Sequence, residues 1–356
     1  MNDLQSHILF QNISELLENS RKRVVATVNQ AMVLTYFEIG RMIVEDEQKG
    51  ENRAEYGKAI LKDLSILLTE KFGKGFSYSN LKQIRQFFLA YSKGQTLSVL
   101  LENKKLSKEQ TELGKTEDSK SKNHEINFYL SWSHYLKLMR INDLNERKFY
   151  EIESFKNNWS LRELQRQYDS ALYSRLSLSK DKEEILKLSE KGQVFEKPQD
   201  AVKDPYILEF LGLEEKSNYS ENDLETALIN KLEHFLLELG TGFTFVARQE
   251  RISFDEKHFR VDLVFYNRIL KCFVLIDLKI GELKHQDIGQ MQMYVNYFDR
   301  EKRLEDENKT IGIILCQDKN EALVEYTLPE NNDQIFASKY KTVLPSKEEF
   351  KNLLKE

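Results

Sequence analysis

The sequence predicts an α/β protein of two domains, with a mainly helical N-terminal domain followed by a domain built on a β-sheet. Three observations lead to this prediction. The 356 residues exceed the usual length of one domain and are enough for two hydrophobic cores. Apolar residues recur at helical spacing through the first half, and short apolar or alternating runs replace them in the second half. We expect the domains to span residues 1–190 and 191–356.

The composition is that of a globular protein that remains in the cytoplasm. The chain has 40% hydrophobic and 31% charged residues with 4 Pro and 14 Gly. Its N-terminus has acidic residues where a signal peptide would be basic, and no stretch approaches the roughly 18 uncharged apolar residues of a membrane span. Cys272 and Cys316 lie in apolar runs, which is typical of small core residues rather than a disulfide or metal pair.

The net charge of -5 hides a difference between the two halves. Residues 1–180 contain 28 Lys and Arg against 23 Asp and Glu, a balance of +5, and residues 181–356 contain 25 against 35, a balance of -10. A basic half that contacts phosphates and an acidic half that holds metal ions is one arrangement with this split. Solvated helix faces produce similar numbers.

The first domain contains a pair of helices joined by a short turn. The run YGKAILKDLSILLTEKFG is helical in period and stops at Gly73. Ser79 can then cap a second helix, with an apolar stripe of Leu81, Ile84, Phe88 and Tyr91. Two helices around a glycine-containing turn resemble a helix-turn-helix or winged-helix unit.

Basic residues cluster on these two helices, with aromatic residues among them. We predict that Lys74, Lys82 and Arg85 bind nucleic-acid phosphates. An ordinary amphipathic helix with a solvated basic face explains the same pattern equally well. The following segment, residues 103–125, has almost no apolar residues and is predicted to be a mobile loop. Helical periodicity returns after it, with Ser160 and Glu163 at capping-box spacing.

In the second domain, a helix opened by Ser220 and Asp223 precedes the strands. Strands are predicted at FTFVARQERISF, HFRVDLVFYN, KCFVLIDLKI, TIGIILC and KYKTVL, with a helix from about Asp287 to Phe298 between them. The run KCFVLI is apolar on both faces, as in a strand covered on both sides.

Two acidic residues lie on these strands. A period of two in HFRVDLVFY places Phe259, Val261, Leu263 and Phe265 on one face and Asp262 on the other. The same period places Asp277 and Lys279 side by side where the buried strand ends. Two strand carboxylates can hold Mg²⁺, which needs few protein ligands because it keeps several waters. The metal and the lysine together match what phosphodiester hydrolysis requires.

Helical residues extend this candidate site. Glu225 shares a helix face with apolar residues and therefore needs a partner, for which a metal, a metal-associated water or Lys279 would serve. Glu221, one turn earlier, is the competing candidate. Gln290 and Tyr294 lie four residues apart on one helix and project together. His285 is a lone histidine and is not assigned a role.

These motifs resemble the PD-(D/E)xK nuclease superfamily and, over nearly the whole chain, bacterial proteins of the YhcG type. The similar stretches include YFEIGRMIVEDEQKG, LSWSHYLKLMR, FRVDLVFYNRILKCFVLIDLKIG and HQDIGQMQMYVNYFDRE. The resemblance implies a restriction-endonuclease-like mixed sheet flanked by helices, preceded by a winged-helix-like region, and a nuclease that uses Mg²⁺ or Mn²⁺. It implies the following site residues: Asp262 and Asp277 as metal ligands, with Lys279, Glu225, Gln290 and Tyr294 around them.

The chain departs from the superfamily pattern at two positions. Val261 stands where Pro is common, and the second acid is Asp277 where Glu is more frequent. Because Asp is one methylene shorter, the efficiency of cleavage is in question rather than the type of site. We expect a nuclease acting on DNA, with the N-terminal domain binding substrate or a partner and homo-oligomers possible. A nuclease fold that binds without cleaving, and an interaction protein with structural acids, are the alternatives.

Overall fold

The computed structural model describes residues 2–48, 53–92, 128–177, 182–214, 219–254 and 257–345. The chain forms two compact units. The first consists of Met1–Arg166 and Ile185–Gly192, and the second of Gln167–Glu184 and Gln193–Glu356. The predicted loop at residues 103–125 lies outside the described residues.

The described part of the first unit is helical. Its helices are α1 (Asn2–Glu47), α2 (Arg53–Phe72), α3 (Tyr78–Tyr91), α4 (Trp132–Leu138) and α5 (Leu144–Lys156). Three short helices follow along the chain, namely α6 (Leu161–Asp169), α7 (Leu172–Ser177) and α8 (Lys182–Lys191). No strand occurs in the described residues of this unit, so the winged-helix likeness stays a prediction.

The turn between α2 and α3 follows the predicted chemistry with one shift. Helix α2 stops before Gly73, whose φ of 81° is accessible to glycine at little cost. The cap of α3 is Ser77 rather than Ser79, since the Ser77 side chain accepts a hydrogen bond from the Asn80 N–H. The prediction that Ser79 caps the helix is therefore wrong. The buried aromatic residues of α3 are Phe87 and Tyr91, and Phe88 is only partly buried.

An aromatic cluster forms much of the core of the first unit and encloses one carboxyl group. The ring of Phe87 lies 5.0 Å from that of Phe128 and 5.3 Å from that of Tyr135. Tyr135 donates a 3.1 Å hydrogen bond to Oε1 of Glu151, which is buried on α5. Burial raises the pKa of Glu151 to about 7, although the Tyr135 hydrogen bond and the charge of Arg147 act in the opposite direction.

The second unit contains a six-stranded sheet. Its strands are β1 (Tyr206–Ile207), β2 (Phe243–Phe254), β3 (Lys257–Asn267), β4 (Cys272–Leu278), β5 (Ile311–Cys316) and β6 (Ile335–Lys341). Its longer helices are α9 (Glu221–Asn230), α10 (Leu232–Leu239) and α11 (His285–Tyr297), and a short α12 (Glu321–Thr327) lies between β5 and β6. Helix α9 begins at Ser220 and Asp223, as predicted, and these two residues cap it reciprocally.

The sheet is mixed, with the strand order β1-β6-β5-β4-β3-β2. Strands β1, β6, β5 and β4 run parallel to their neighbours, and β2, β3 and β4 form an antiparallel meander. The prediction of a mixed sheet flanked by helices, after a helical N-terminal region, is confirmed. The central strand β4 is buried along almost its whole length, which agrees with its apolar sequence.

Helices cover both faces of the sheet. Leu224 and Leu228 of α9 and Phe235 of α10 pack in one core cluster with Val274 and Ile276 of β4. Residues of α11 form the second cluster with the other face of the sheet, including Ile288, Met291, Tyr294 and Val295 packed near Leu275 of β4 and Ile314 of β5. Both cysteines are buried in these clusters as free thiols, as predicted.

Strand β3 does not keep the strict alternation that its sequence predicts. Leu263 and Phe265 pack in the α9 cluster, but Phe259 and Val261 pack in the α11 cluster with Val264. The side-chain alternation therefore changes phase at Asp262, and a single-face assignment of the four apolar residues is wrong. On the neighbouring strand β2, the residue opposite this change is Gln249, which has a positive φ.

A buried ionic network in the second unit is centred on Arg175 and Glu238. Arg175 on α7 donates to Oε1 of Glu238 at 2.7 Å and to the carbonyl oxygens of Ser170 and Pro205, both at 2.9 Å. Both charged side chains are almost fully buried.

None of the described helices is long and apolar enough to cross a membrane. The cytoplasmic location stays a prediction.

Candidate active site

The two predicted metal ligands lie on neighbouring antiparallel strands. The β3–β4 ladder pairs Leu263 with Ile276, which places Asp262 and Asp277 next to each other at the same end of this pair of strands. Asp262 Oδ2 accepts a 2.8 Å hydrogen bond from the backbone N–H of Leu278. This bond fixes the side chain of Asp262 to Leu278, the last residue of β4.

Asp277 is buried beside two charged groups of opposite sign. It is 1% exposed, and its Oδ2 lies 2.8 Å from the ammonium of Lys279. This oxygen makes no hydrogen bond of acceptable geometry within the described residues. Burial and the negative charge of Asp262 raise the pKa of Asp277 to about 7, against the opposite effect of Lys279. The pocket thus holds two carboxylates whose charges repel each other.

Lys279 is held between carboxylates in a largely buried position. Its ammonium contacts Asp277 and lies 3.8 Å from Oε2 of Glu221. Burial by itself lowers the pKa of Lys279, but Asp277, Glu221 and Asp262 together raise it above its ordinary value. The lysine is therefore protonated at neutral pH and can donate hydrogen bonds, whereas it cannot accept a proton as a base.

Helix α9 brings both candidate glutamates to the strand ends, and each takes a different partner. Glu225 is 3% exposed and accepts a 3.0 Å bond from Nε of Arg248. Glu221, in the first turn, accepts a 3.3 Å bond from the N–H of Ile280 and lies near Lys279. Lys279 thus lies near Glu221 rather than Glu225, whereas a metal or a metal-associated water as the partner of Glu225 stays a prediction.

Gln249 on β2 links two of the acids and was not recognised from the sequence. Its amide Nε2 donates to Oε2 of Glu225 at 2.6 Å and to Oδ1 of Asp262 at 3.0 Å. An amide NH₂ has two donor hydrogens, and both are used here. The only sequence signal was the polar pair Arg248-Gln249 within a strand, and that pair does not reveal which residues it contacts.

The backbone at Gln249 is unusual. Its φ is 50°, a left-handed conformation that is uncommon for any residue other than glycine. The β2–β3 ladder pairs Arg248 with Leu263 and Glu250 with Val261 on either side of it. Gln249 and Asp262 thus face each other where the alternation of β3 changes phase. The local distortion directs the amide toward both carboxylates.

Gln290 and Tyr294 on α11 contact each other as predicted from their spacing. The amide of Gln290 donates to the hydroxyl of Tyr294, which in turn donates a 2.8 Å bond to the carbonyl oxygen of Arg260 on β3. Burial raises the pKa of Tyr294, the Gln290 bond lowers it, and the nearby charges of Asp277 and Asp262 raise it further. The pair therefore supports β3 two residues before Asp262.

The donor set at the strand ends fits a hard divalent cation. Asp262 and Asp277 offer carboxylate oxygens, and the buried Oδ2 of Asp277 lacks a hydrogen-bond donor of good geometry among the described residues. Mg²⁺ is commonly held by one or two carboxylates with waters completing its shell. In the described ranges, no group of three His, Cys, Asp or Glu residues is placed to bind a metal. Water and substrate oxygens would have to complete the coordination.

The predicted phosphate-binding residues of the first unit differ in their surroundings. Lys74 and Lys82 are exposed. Arg85 is half-buried and forms an ion pair with Glu47, with its Nε 2.7 Å and 2.9 Å from the two carboxylate oxygens. Part of the charge of Arg85 is therefore already neutralised.

His285, to which the sequence assigned no role, is exposed at the start of α11.

Comparison with known proteins gives family matches to both halves of the chain. Residues 199–355 match the family described as the YhcG PDDEXK nuclease domain. Residues 12–175 match the DUF1016 N-terminal domain. The chain is 40% identical over 346 residues to YhcG of Escherichia coli (strain K12), a protein provisionally named as a nuclease. That alignment covers 95% of this chain and 90% of the relative.

Two solved structures share limited similarity with the chain. The crystal structure of a repair endonuclease from Pyrococcus abyssi matches with a TM-score of 0.26 and 18% identity, over 36% of this chain and 50% of that one. A complex of EndoMS with double-stranded DNA matches with a TM-score of 0.25 and 16% identity, over 38% of this chain and 51% of that one. The matched region spans about half the length of each solved chain.

Proposed function

Because this chain belongs to the YhcG family of PDDEXK nucleases, we propose that it is a metal-dependent nuclease that hydrolyses phosphodiester bonds of DNA. We propose Mg²⁺ as its metal, with Mn²⁺ as a substitute. The observation that carries the proposal is the convergence of Asp262, Asp277 and Lys279 at the ends of two adjacent strands. Asp277 and Lys279 follow Asp262 by 15 and 17 positions along the chain, and the sheet brings the three residues together.

The two aspartates would hold the metal ion. Their carboxylates occupy neighbouring strand positions, and their mutual repulsion raises the free energy of the site when no cation lies between them. A bound Mg²⁺ supplies charge stabilisation at the scissile phosphate and makes a coordinated water more acidic. The hydrogen bond from Leu278 fixes Asp262, so the position of this ligand is set before the ion arrives.

Lys279 would act as a donor to the reacting phosphate or to the attacking water. Its protonated ammonium lies beside Asp277 and carries a positive charge in a partly buried site. Charge that develops on the phosphoryl oxygens can be stabilised by such a preorganised donor. Since the carboxylates around it keep the lysine protonated, a role as general base is unsuitable.

Glu225 and the α11 pair complete the site around the metal ligands. Glu225 is connected to Asp262 through Gln249, so a displacement of α9 changes the geometry at the first metal ligand. Tyr294, supported by Gln290, fixes the backbone of β3 at Arg260. We propose that Glu225, Gln290 and Tyr294 position the catalytic groups.

The N-terminal part, residues 1–190, would bind nucleic acid or a partner, and residues 191–356 would form the nuclease domain. Lys74 and Lys82 are exposed cations on one segment of this part and suit contacts to phosphates. Arg85 would contribute less because Glu47 already pairs with it. The basic balance of residues 1–180 supports the same assignment.

The test is a cleavage assay with the full chain on single- and double-stranded DNA and on RNA, with Mg²⁺, with Mn²⁺ and with EDTA. Asp262→Asn, Asp277→Asn and Lys279→Met should each reduce the rate by several orders of magnitude. Asp306→Asn is the matched control, since this aspartate is exposed and lies outside the site. Its rate should equal that of the wild type.

Three outcomes of the cleavage assay can be distinguished. Metal-dependent cutting of DNA that all three site variants lose supports the proposal. DNA binding without cutting under any metal condition would show an inactive nuclease fold that serves as a binding protein. Cleavage that persists in Asp262→Asn would show that the assigned residues are not the active site, even if the protein is a nuclease.

A further inference from the structure

The β2–β3 hairpin extends beyond the rest of the sheet at the candidate active site. Strand β4 pairs with β3 from Leu263 onward, whereas residues 257–261 of β3 pair only with β2 among the described residues. Their partners are residues 250–254 of β2, which is the last strand of the sheet. We call these two segments the β-ribbon. It begins next to Asp262, so a ligand of the β-ribbon lies beside the candidate metal site.

One face of the β-ribbon is covered and the other is exposed. Ile252 is fully buried and packs in the α11 cluster, together with Phe259 opposite it. Side chains alternate along a strand, so the residues one position away on each strand point to the opposite face. All of these are exposed, namely Arg251, Ser253, His258 and Arg260.

The exposed face is positively charged. Arg251 and Arg260 are direct cross-strand partners, so their side chains leave this face next to each other. Neither arginine forms an ion pair with an acidic residue in the described part of the chain. Glu250 is the one acid of the β-ribbon, and it pairs instead with Lys302. Residues 255–256, in the turn, are also acidic and lie outside the described residues.

His258 sets the direction of one of these arginines. Nη2 of Arg251 lies 2.8 Å from Nε2 of His258, and Nδ1 of the same ring lies 3.0 Å from Oγ of Ser253. An arginine has no acceptor atom, so Nε2 accepts this bond and Nδ1 carries the ring hydrogen, which it donates to Ser253. The bond uses one of the five N–H donors of the guanidinium and fixes its direction.

Two opposed arginines on an exposed face have an energetic cost that an anion removes. Like charges directly opposite each other destabilise a sheet. Guanidinium groups bind phosphate oxygens in a bidentate geometry. At about 3.3 Å for each residue, Arg260 lies about 7 Å and His258 about 13 Å from Asp262 along β3. Phosphates of one strand repeat about every 3.4 Å along a DNA helix, so the exposed face corresponds to about two to four phosphates.

We propose that the β-ribbon binds the phosphate backbone of the DNA substrate beside the scissile bond, with Arg251 and Arg260 as the contacting residues and His258 positioning Arg251. This proposal rests on the proposed nuclease function, which supplies the substrate. A strand whose scissile phosphate lies at Asp262 continues along the exposed face. A protein partner fits this face less well, because the centre of a protein interface needs apolar side chains and all four side chains here are polar or charged.

The first experiment measures binding of the full chain to a fluorescein-labelled 30-base-pair DNA duplex by anisotropy, in EDTA and again with Ca²⁺. Arg251→Ala with Arg260→Ala should weaken binding about tenfold at 0.1 M salt and reduce the slope of log K against log salt by about 2, one unit for each phosphate contact. Arg268→Ala is the matched control, since this exposed arginine follows the opposite end of β3. Its affinity and slope should equal those of the wild type.

A substitution of His258 tests the positioning of Arg251. His258→Ala should weaken binding about threefold with an unchanged salt slope, because no phosphate contact is lost. In the Arg251→Ala background, the same substitution should have no further effect. A purely structural role of His258 would instead weaken binding by the same factor in both backgrounds and would contradict this part of the proposal.

Thermal unfolding and cleavage separate binding from folding and catalysis. Because the two arginines repel each other, Arg251→Ala with Arg260→Ala should not lower the unfolding midpoint of the second unit. Arg251→Lys with Arg260→Lys keeps both charges and should retain the salt slope. In the cleavage assay with Mg²⁺, the double alanine variant should show a higher KM, while kcat at saturating DNA stays within about twofold of the wild type.

The outcomes distinguish this proposal from the nuclease proposal. Unchanged affinity and salt slope in the double alanine variant, or an equal loss in Arg268→Ala, would overturn the role of the β-ribbon alone. A wild type that binds DNA through these arginines but cleaves under no metal condition would overturn the nuclease activity and support the β-ribbon as a nucleic-acid surface. A wild type that binds no DNA in EDTA or with Ca²⁺ would overturn both.

Discussion

Replacing Gln249 separates its role in positioning from its role in stability. Gln249→Gly removes both hydrogen bonds from the amide to Glu225 and Asp262, and it also relieves the left-handed backbone conformation. A hydrogen bond to a charged group contributes about 1.5–3 kcal/mol. The left-handed conformation costs a non-glycine residue about 1–2 kcal/mol. Since two such bonds are lost, their cost of about 3–6 kcal/mol exceeds the relief of the backbone, and the variant should be destabilised by roughly 1–5 kcal/mol.

Activity has no such compensation. If the positioning of Asp262 loses the equivalent of one bond, about 1.5–3 kcal/mol, the rate falls by roughly 10- to 150-fold. We expect kcat to fall by this factor in Gln249→Gly while KM for DNA changes little, because the substrate-binding surface is unchanged. The midpoint of thermal unfolding of the second unit should therefore fall, by roughly 2–4 °C for each kcal/mol of destabilisation.

The controls for Gln249 distinguish length from chemistry. Gln249→Asn keeps the amide and tolerates a left-handed backbone, but its shorter side chain cannot span both carboxylates. It should therefore resemble the glycine variant in activity. The reasoning is refuted if Gln249→Gly cleaves DNA at the wild-type rate while Asp262→Asn is inactive. A wild type that does not cleave at all would instead bear on the proposed function.

Three further predictions concern charges elsewhere in the chain. Lys74→Ala with Lys82→Ala should weaken DNA binding and reduce the slope of log K against log salt by about 2, measured by fluorescence anisotropy, whereas Arg85→Ala should have less effect. Arg175→Met should destabilise the second unit by about 3–5 kcal/mol in calorimetry, because it leaves the buried carboxylate of Glu238 without this cation, and adding Glu238→Gln should recover part of the loss. The pKa of Glu151 is raised to about 7 from its ordinary value of 4.5, so the folded state retains this proton more tightly than the unfolded state. Stability of the first unit should thus fall by on the order of 3 kcal/mol as pH rises from about 4.5 to above 7. Urea unfolding followed by tryptophan fluorescence should show this fall in the wild type. The Glu151→Gln variant should not show it. Equal pH dependence of the unfolding free energy in both proteins would contradict the assignment.

Local chemistry explains which parts of the fold could be predicted from the sequence. The end of α2 at Gly73 and the capping box of α9 depend on residues within a few positions of each other, so the pattern determines them. Strand β4 follows from its uninterrupted apolar run. The start of α3 is not determined by the sequence pattern, because Ser77 and Ser79 are both good caps, and the structure has Ser77 in that role.

The candidate site divides in the same way. Asp277 and Lys279 meet because they are two apart on one strand, and Gln290 meets Tyr294 because they are four apart on one helix. Gln249 escaped recognition because both of its partners come from other elements and its backbone departs from regular strand geometry. A period of two cannot represent such a departure, and for the same reason it assigned Val261 to the wrong face.

The balance of charge at the strand ends leads to a last prediction. Four carboxylates, Glu221, Glu225, Asp262 and Asp277, face two cations, Lys279 and Arg248, so the site carries a charge of -2 when all are ionised. One divalent cation would cancel that excess, and we expect it to bind only where the strands hold both aspartates together. Mg²⁺ or Ca²⁺ at about 100 times its dissociation constant should therefore stabilise the second unit by about 2.7 kcal/mol. Thermal unfolding followed by circular dichroism measures this shift, with KCl at equal ionic strength as the control. A shift that is the same in Asp262→Asn and in the wild type would place the cation elsewhere.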